Sequence, residues 1–138
     1  MNKHNIFVDT NVLIGAYSAI QKDEHCLKYL YSLTGKRLFT SSLSIAQLVS
    51  VFQKRKTNEE IKQIVKKILA KFTIISFEKK DIETAITYDG SDIEDNIQYV
   101  ISGKFNCFYF VTNNIKDYNK LGRIFPVPPS KIALIKRD

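Results

Sequence analysis

The chain has 138 residues, 44% of them hydrophobic and 25% charged, with a formal net charge of +7. That size and balance describe one ordinary globular domain over residues 1–138 and exclude a disordered chain or two full domains. No apolar run reaches the ~18–20 residues of a membrane span. With two cysteines and two histidines, there is neither a disulfide framework nor a zinc-ligand spacing.

Ile6 to Val8 read as a short buried strand running straight into Asp9. Residues 13–19 and 23–33 are predicted helices, residues 34–37 a turn and residues 38–41 a second strand. A helix opening at Ser44 places Ile45, Leu48, Val49 and Phe52 on one face, at i, i+3, i+4 and i+7. In the next helix, Thr57 and Glu60 form a capping box. Ile61, Ile64, Val65, Ile68, Leu69 and Phe72 make its apolar stripe, and lysines fill the other side. Residues 73–77 follow as a third strand and residues 82–88 as a short helix. Ser91 and Glu94 form a second capping box, opening a helix with Ile93, Ile97, Val100 and Ile101 on one face. Residues 107–111 make a fourth strand. Residues 124–127 make a fifth, and Pro126 suits it to an edge. Strands alternating with helices predict an α/β fold of three α/β/α layers, with a central, mostly parallel sheet of about five strands.

Cys26 and Cys107 are read as free thiols, and the absence of an apolar leader after Met1 points to a cytoplasmic protein. His25 and Cys26 are neighbours on a helix and do not face each other.

Charge is unevenly spread. Residues 1–80 hold fourteen Lys/Arg against six Asp/Glu, whereas residues 81–95 hold six acids and no base. A basic chain with a local acidic cluster suggests a polyanion partner and a cation site. In parallel sheets, functional groups gather beyond the carboxyl ends of the strands. Asp9 ends the first strand. Thr112, Asn113 and Asn114 end the fourth, with Asp117 just after. Asp92 and Asp95 share a face in the first turn of the helix that feeds the fourth strand. Each has a purely structural alternative: Asp9 as a helix cap, Asp92, Glu94 and Asp95 as partners of a helix dipole, Asp117 as a turn residue. Several carboxylates meeting at one sheet edge would repel one another unless a hard divalent cation stood between them, and carboxylate-plus-amide chemistry suits Mg²⁺ or Mn²⁺.

These residues carry a resemblance. The segments FVDTNVLI at 7–14, SSLSIAQLVSVF at 41–52, SDIEDNIQYVISGKFNCFYFVTNNIKDY at 91–118 and FPVPPSKI at 125–132 together resemble a PIN domain. This is the metal-dependent ribonuclease fold that includes the VapC-type toxins. The resemblance implies endonucleolytic cleavage of RNA. It implies Asp9, Asp95 and Asp117 as ligands of Mg²⁺ or Mn²⁺, Asp92 as an accompanying catalytic acid, and Asn11, Thr112 and Asn114 as groups that orient ligand or phosphate. It also implies a small antitoxin partner and a homodimer formed through helices beside the site. The second acidic position of the family is normally a glutamate, and here it is Gln47. Gln47 offers a carbonyl oxygen without charge, and Ser44 with Gln47 also fits a capping box. Lys54, Arg55, Lys62 and Lys66 are candidates to track an RNA backbone.

Two other readings stand beside the nuclease. One is a PIN-fold module that binds RNA or a partner without cleaving, which Gln47 favours. The other is an aspartyl-phosphate phosphatase, which the amide of Asn11, two residues after Asp9, disfavours.

Overall fold

The computed structural model describes residues 2–89, 92–119 and 121–137. The elements in chain order are β1 (Asn2–Val8), α1 (Thr10–Ala16), α2 (Gln21–Ser32), β2 (Arg37–Ser41), α3 (Ser42–Phe52), α4 (Asn58–Lys71) and β3 (Thr73–Ile75). They continue with α5 (Lys79–Ala85), α6 (Ile93–Gly103), β4 (Cys107–Val111), α7 (Ile115–Asn119), β5 (Phe125–Val127) and a 3-10 helix at Pro129–Leu134. The sheet order is β3-β2-β1-β4-β5, and every neighbouring pair is parallel. The five-stranded, parallel character expected from the sequence is present, and all five strands run one way. β1 and β4 are the centre of the sheet, and β5 with its Pro126 is an edge, as predicted.

The alternation of strand side chains sorts the core onto two faces. Ile6 and Val8 of β1 pack in one cluster with α1 to α4. Phe7, between them, points the other way into a cluster with Tyr99, Ile101, Phe110 and Tyr118. Phe7 stacks on Phe110 with centroids 5.0 Å apart, and Phe110 meets Tyr118 at 4.2 Å. These are the three layers expected of an α/β domain. Among the described residues, no helix is long and apolar enough to cross a membrane.

Helix starts follow local chemistry, with informative departures. The Thr57–Glu60 box forms as predicted: the Glu60 N–H donates to Thr57 Oγ1 at 3.1 Å, and the Thr57 N–H donates to Glu60 Oε1 at 2.9 Å. The stripe behind it buries Ile61, Ile64, Ile68 and Phe72 but leaves Leu69 half in solvent. α1 starts at Thr10, three residues early, because Asp9 already caps it. α3 starts at Ser42, because β2 runs into it without a loop and Ser41 is the cap. The Ser44–Gln47 capping box therefore does not form. Ser91 lies outside the described residues, and Asp92 caps α6 by accepting from the Asp95 N–H at 3.1 Å. Ile93, expected on the apolar face of α6, is 57% exposed.

The α1–α2 junction is tight. A Cβ added at Gly15 would lie 1.8 Å from Asp23 Oδ2, and Asp23 is buried. Gly15→Ala should destabilise the fold by roughly 1–3 kcal/mol through this overlap. Thermal unfolding would read that as a fall of several degrees, whereas an unchanged midpoint would show that Asp23 can move aside freely.

Candidate active site

The chain order places β1 at the centre, builds outward to β3, then crosses to β4 and β5 on the other side. The crevice of such a sheet opens beyond the carboxyl ends of the two strands where the direction of winding reverses, here β1 and β4. Asp9 follows β1 and Thr112 follows β4, so the topology alone brings these two residues together. Thr112 Oγ1 donates to Asp9 Oδ2 at 2.8 Å. Asp9 is only 4% exposed. Its other partners are the Thr10 N–H at 2.8 Å and Asn11 Nδ2 at 3.1 Å. All three donors are neutral, so no lysine or arginine neutralises the carboxylate. Burial pushes the Asp9 carboxyl above its ordinary range despite those hydrogen bonds. The capping role and the site role thus coincide in one residue.

α6 supplies the facing acids. Asp92, Glu94 and Asp95 line a pocket of ≈ 430 Å³ together with Asp9, Thr10, Asn11, Ile14, Gln47, Ser50 and Val51. Four carboxylates and no cationic side chain form this wall. Asp95 Oδ1 accepts from the Tyr118 hydroxyl at 3.0 Å, while Asp95 Oδ2 is buried without a hydrogen-bond partner. Burial pushes the Asp95 carboxyl up to about 7, with the negative charges of Asp92, Asp9 and Asp117 adding to the rise. The Tyr118 hydroxyl also stabilises the charge on Asp9, so it stands between the two acids. Burial and those two carboxylates hold Tyr118 firmly protonated.

Behind the pocket wall runs a polar network. Gln98 Nε2 donates to Thr10 Oγ1 at 3.1 Å and to Ser44 Oγ at 2.8 Å, and Ser41 Oγ donates to Gln98 Oε1 at 2.7 Å. Thr10 Oγ1 in turn donates to Gln47 Oε1 at 2.7 Å. This takes up the Gln47 carbonyl and turns its Nε2 toward Glu94, whose Oε2 accepts from it. On the other side, Asn11 Oδ1 accepts from the Asn113 N–H at 3.1 Å, and Asn113 Nδ2 reaches Asp23 Oδ1 at 3.3 Å. Asn11 is thereby locked with its amide N–H₂ toward Asp9.

The predicted residues divide accordingly. Asp9, Asp92, Asp95, Asn11 and Gln47 line one pocket, and Thr112 anchors Asp9 from beneath. Asp117 sits in α7 outside that lining, though its charge reaches Asp95. Asn114 is exposed, and its N–H donates to Thr112 Oγ1 at 3.0 Å. Lys54, Arg55, Lys62 and Lys66 are exposed and stand away from the acids. Sequence reasoning did not single out Tyr118, Gln98 or Glu94 as site residues. Glu94 carried a signal, since it shares the acidic first turn of α6, but it was assigned to capping.

The donor set suits a hard divalent cation. It consists of oxygens, several of them anionic, and one buried carboxylate oxygen has nothing to accept from. Among the described residues, no three His, Cys, Asp or Glu side chains already stand close enough to hold a metal ion.

A doubly wound parallel sheet with an acid-lined pocket at its central crevice defines the class of α/β domain to which this chain belongs. The PIN domain family model matches residues 6–101, and the chain belongs to that family. It is 29% identical over 135 residues to Ribonuclease VapC1 of Aquifex aeolicus, covering 86% of this chain and 88% of that protein. Its fold is similar to that of a chain in a toxin-antitoxin complex from Klebsiella pneumoniae. The TM-score there is 0.68 and the identity 19%, with 90% of this chain and 97% of the other covered. It is similar also to a chain in VapBC-1 from nontypeable Haemophilus influenzae, with a TM-score of 0.71 and 12% identity over 92% of this chain and 99% of the other.

Proposed function

We propose that this protein is a divalent-metal-dependent endoribonuclease and the toxin of a toxin–antitoxin pair. The observation that carries the reading is the meeting of Asp9 and Asp95 in one cation-free acidic pocket, with Asp95 Oδ2 left unpartnered. The ribonuclease relative supports the activity, and the complexes among the structural neighbours support a protein partner.

In this mechanism Asp9 and Asp95 would hold Mg²⁺ or Mn²⁺, with Asp92 lining the same pocket and the charge of Asp117 reaching Asp95. The bound ion would activate a water for attack on the phosphodiester and neutralise charge on the phosphate. The protein's own part is positioning. Thr112, Asn11 and the Thr10 N–H fix the Asp9 carboxylate, so it cannot rotate away. Tyr118 orients Asp95 by a hydrogen bond it cannot lose by ionising. Removing divalent ions with EDTA should abolish cleavage of a labelled RNA, and excess Mn²⁺ should restore it. Cleavage that survives EDTA would defeat the metal mechanism. RNA binding without cleavage under any divalent ion would favour a non-catalytic module, which the absence of a carboxylate at position 47 supports.

RNA would approach along the α1–α3 groove. Both helices line the acidic pocket, and their far ends form a small basic pocket of Tyr17, Ser18, Ala19, Arg55 and Lys56. The acidic pocket reaches Ser50 and Val51 near the end of α3, and the basic pocket takes up Arg55 and Lys56 just beyond it. Arg55 already donates to Ser18 Oγ at 3.1 Å. Arg55→Ala should weaken RNA binding and reduce the salt dependence of log Kd by about one unit, the slope expected for one lost phosphate contact. A filter-binding series across salt concentrations reads this, and an unchanged slope would remove Arg55 from the path. Ile93, exposed between Asp92 and Glu94, offers a protein partner apolar contact beside the pocket.

A further inference from the structure

Gln47 stands where the family resemblance places a carboxylate, so the site is short of one charge at that position. The structure puts another carboxylate beside it. Glu94, from the first turn of α6, lines the pocket and accepts a hydrogen bond from Gln47 Nε2 on α3. Gln47 cannot reverse its amide without opposing two acceptors. Thr10 Oγ1 donates to its Oε1, and a flipped side chain would turn that carbonyl toward the Glu94 carboxylate. Thr10 is held in turn by Gln98. The chain Gln98–Thr10–Gln47–Glu94 therefore links three helices, α6, α1 and α3, and ends on a negative charge at the pocket.

The ordinary role of an acid in a first helical turn is to face the helix N-terminus. In α6 that role belongs to Asp92, the N-cap, and Glu94 is tied instead to a residue 47 positions earlier. A glutamate at position 47 beside Glu94 would set two carboxylates against each other, whereas a glutamine joins them by a hydrogen bond. One charge fits this corner, and it can come from either residue.

We propose that Glu94 is the relocated second acid of the site, positioned by Gln47, and that it contributes its charge to the divalent ion directly or through water. This rests on the nuclease reading above. The chain is then a complete acidic site with its second carboxylate delivered from α6 instead of α3, not an impaired enzyme.

The test is Mn²⁺ titration of the full chain by calorimetry, with RNA cleavage as a second readout, in wild type, Glu94→Gln and the exchange variant Gln47→Glu/Glu94→Gln. Glu94 is exposed, so each variant should unfold at a temperature close to wild type. Glu94→Gln should raise the Mn²⁺ Kd about 10-fold, as expected on losing a charged partner of a metal site. The exchange variant should recover most of that loss in both binding and cleavage. Wild-type Mn²⁺ affinity in Glu94→Gln, or no recovery in the exchange variant, would overturn the relocated-acid proposal while leaving the nuclease reading standing. A wild-type chain that neither binds Mn²⁺ nor cleaves RNA would overturn both.

Discussion

Asp9→Asn is expected to reduce RNA cleavage about 10³-fold or more, equivalent to ~4 kcal/mol of transition-state stabilisation, and to leave the fold in place. The two halves of that expectation come from the same geometry. Asn caps a helix as well as Asp does, so its carbonyl can still accept from the Thr10 N–H. Burial raises the Asp9 carboxyl, which means the folded state disfavours its charge and should tolerate a neutral replacement. Against this, the new N–H₂ would meet the donors Thr112 Oγ1 and Asn11 Nδ2. With these effects opposed, the stability change should stay within about 1 kcal/mol. What the variant loses is the anionic oxygen facing the pocket, and no neighbouring group can replace it there. Single-turnover cleavage measured beside a melting curve separates the two. A folded Asp9→Asn protein that cleaves at the wild-type rate would remove Asp9 from the chemistry. A protein that unfolds would show that capping dominates its role.

The second large effect links metal, pH and stability. Asp95 has its carboxyl pushed up to about 7 in the folded chain from an ordinary value of 3.8, chiefly by burial. Between those values the folded state keeps a proton that the unfolded state has released. Stability of the metal-free protein should therefore be greatest below about pH 4 as far as this group is concerned, and should decline as pH rises toward 7. Asp9 acts in the same direction. Asp95 is only half-buried, so after solvent screening the decline amounts to roughly 1–2 kcal/mol. On the proposed metal mechanism Mn²⁺ should reverse it, because the ion would bind the ionised form and displace the proton. The Mn²⁺-induced rise in melting temperature should thus be larger at pH 7.5 than at pH 5. At 100 times Kd the stabilisation would be about 2.7 kcal/mol. Melting curves at several pH values, with and without Mn²⁺ and with Asp95→Asn as control, measure this. An equal Mn²⁺ effect at both pH values would show that Asp95 is not displaced by the ion.

Both predictions gain from what the fold adds to the individual residues. Asp9 by itself is a helix cap, and Asp95 by itself is an acid at a helix start. The crevice between β1 and β4 makes them neighbours, and Tyr118, carried on the aromatic stack of Phe7 and Phe110, sits between them. In the proposed mechanism, the cost of holding two acids together in a poorly solvated pocket would become the driving force for taking up a cation.

The sequence by itself determined the elements and their class. An apolar run ending in Asp9, the Thr57–Glu60 box and the repeated change from strand to helix period are local patterns, each visible within a dozen residues. They suffice for a parallel sheet, and a parallel sheet suffices to place Asp9 near Thr112. Tertiary structure alone decided which polar side chains meet. Glu94 finds Gln47 across 47 residues, Gln98 finds Thr10 across 88, and Tyr118 finds Asp95 across 23. Such pairs depend on the rotation of each helix about its axis and on its overhang beyond the sheet. Packing of the apolar faces sets both quantities, and no short window of sequence records them. Asp117 shows the converse: the resemblance implies it as a ligand, and α7 carries it outside the residues lining the pocket, with its charge reaching Asp95.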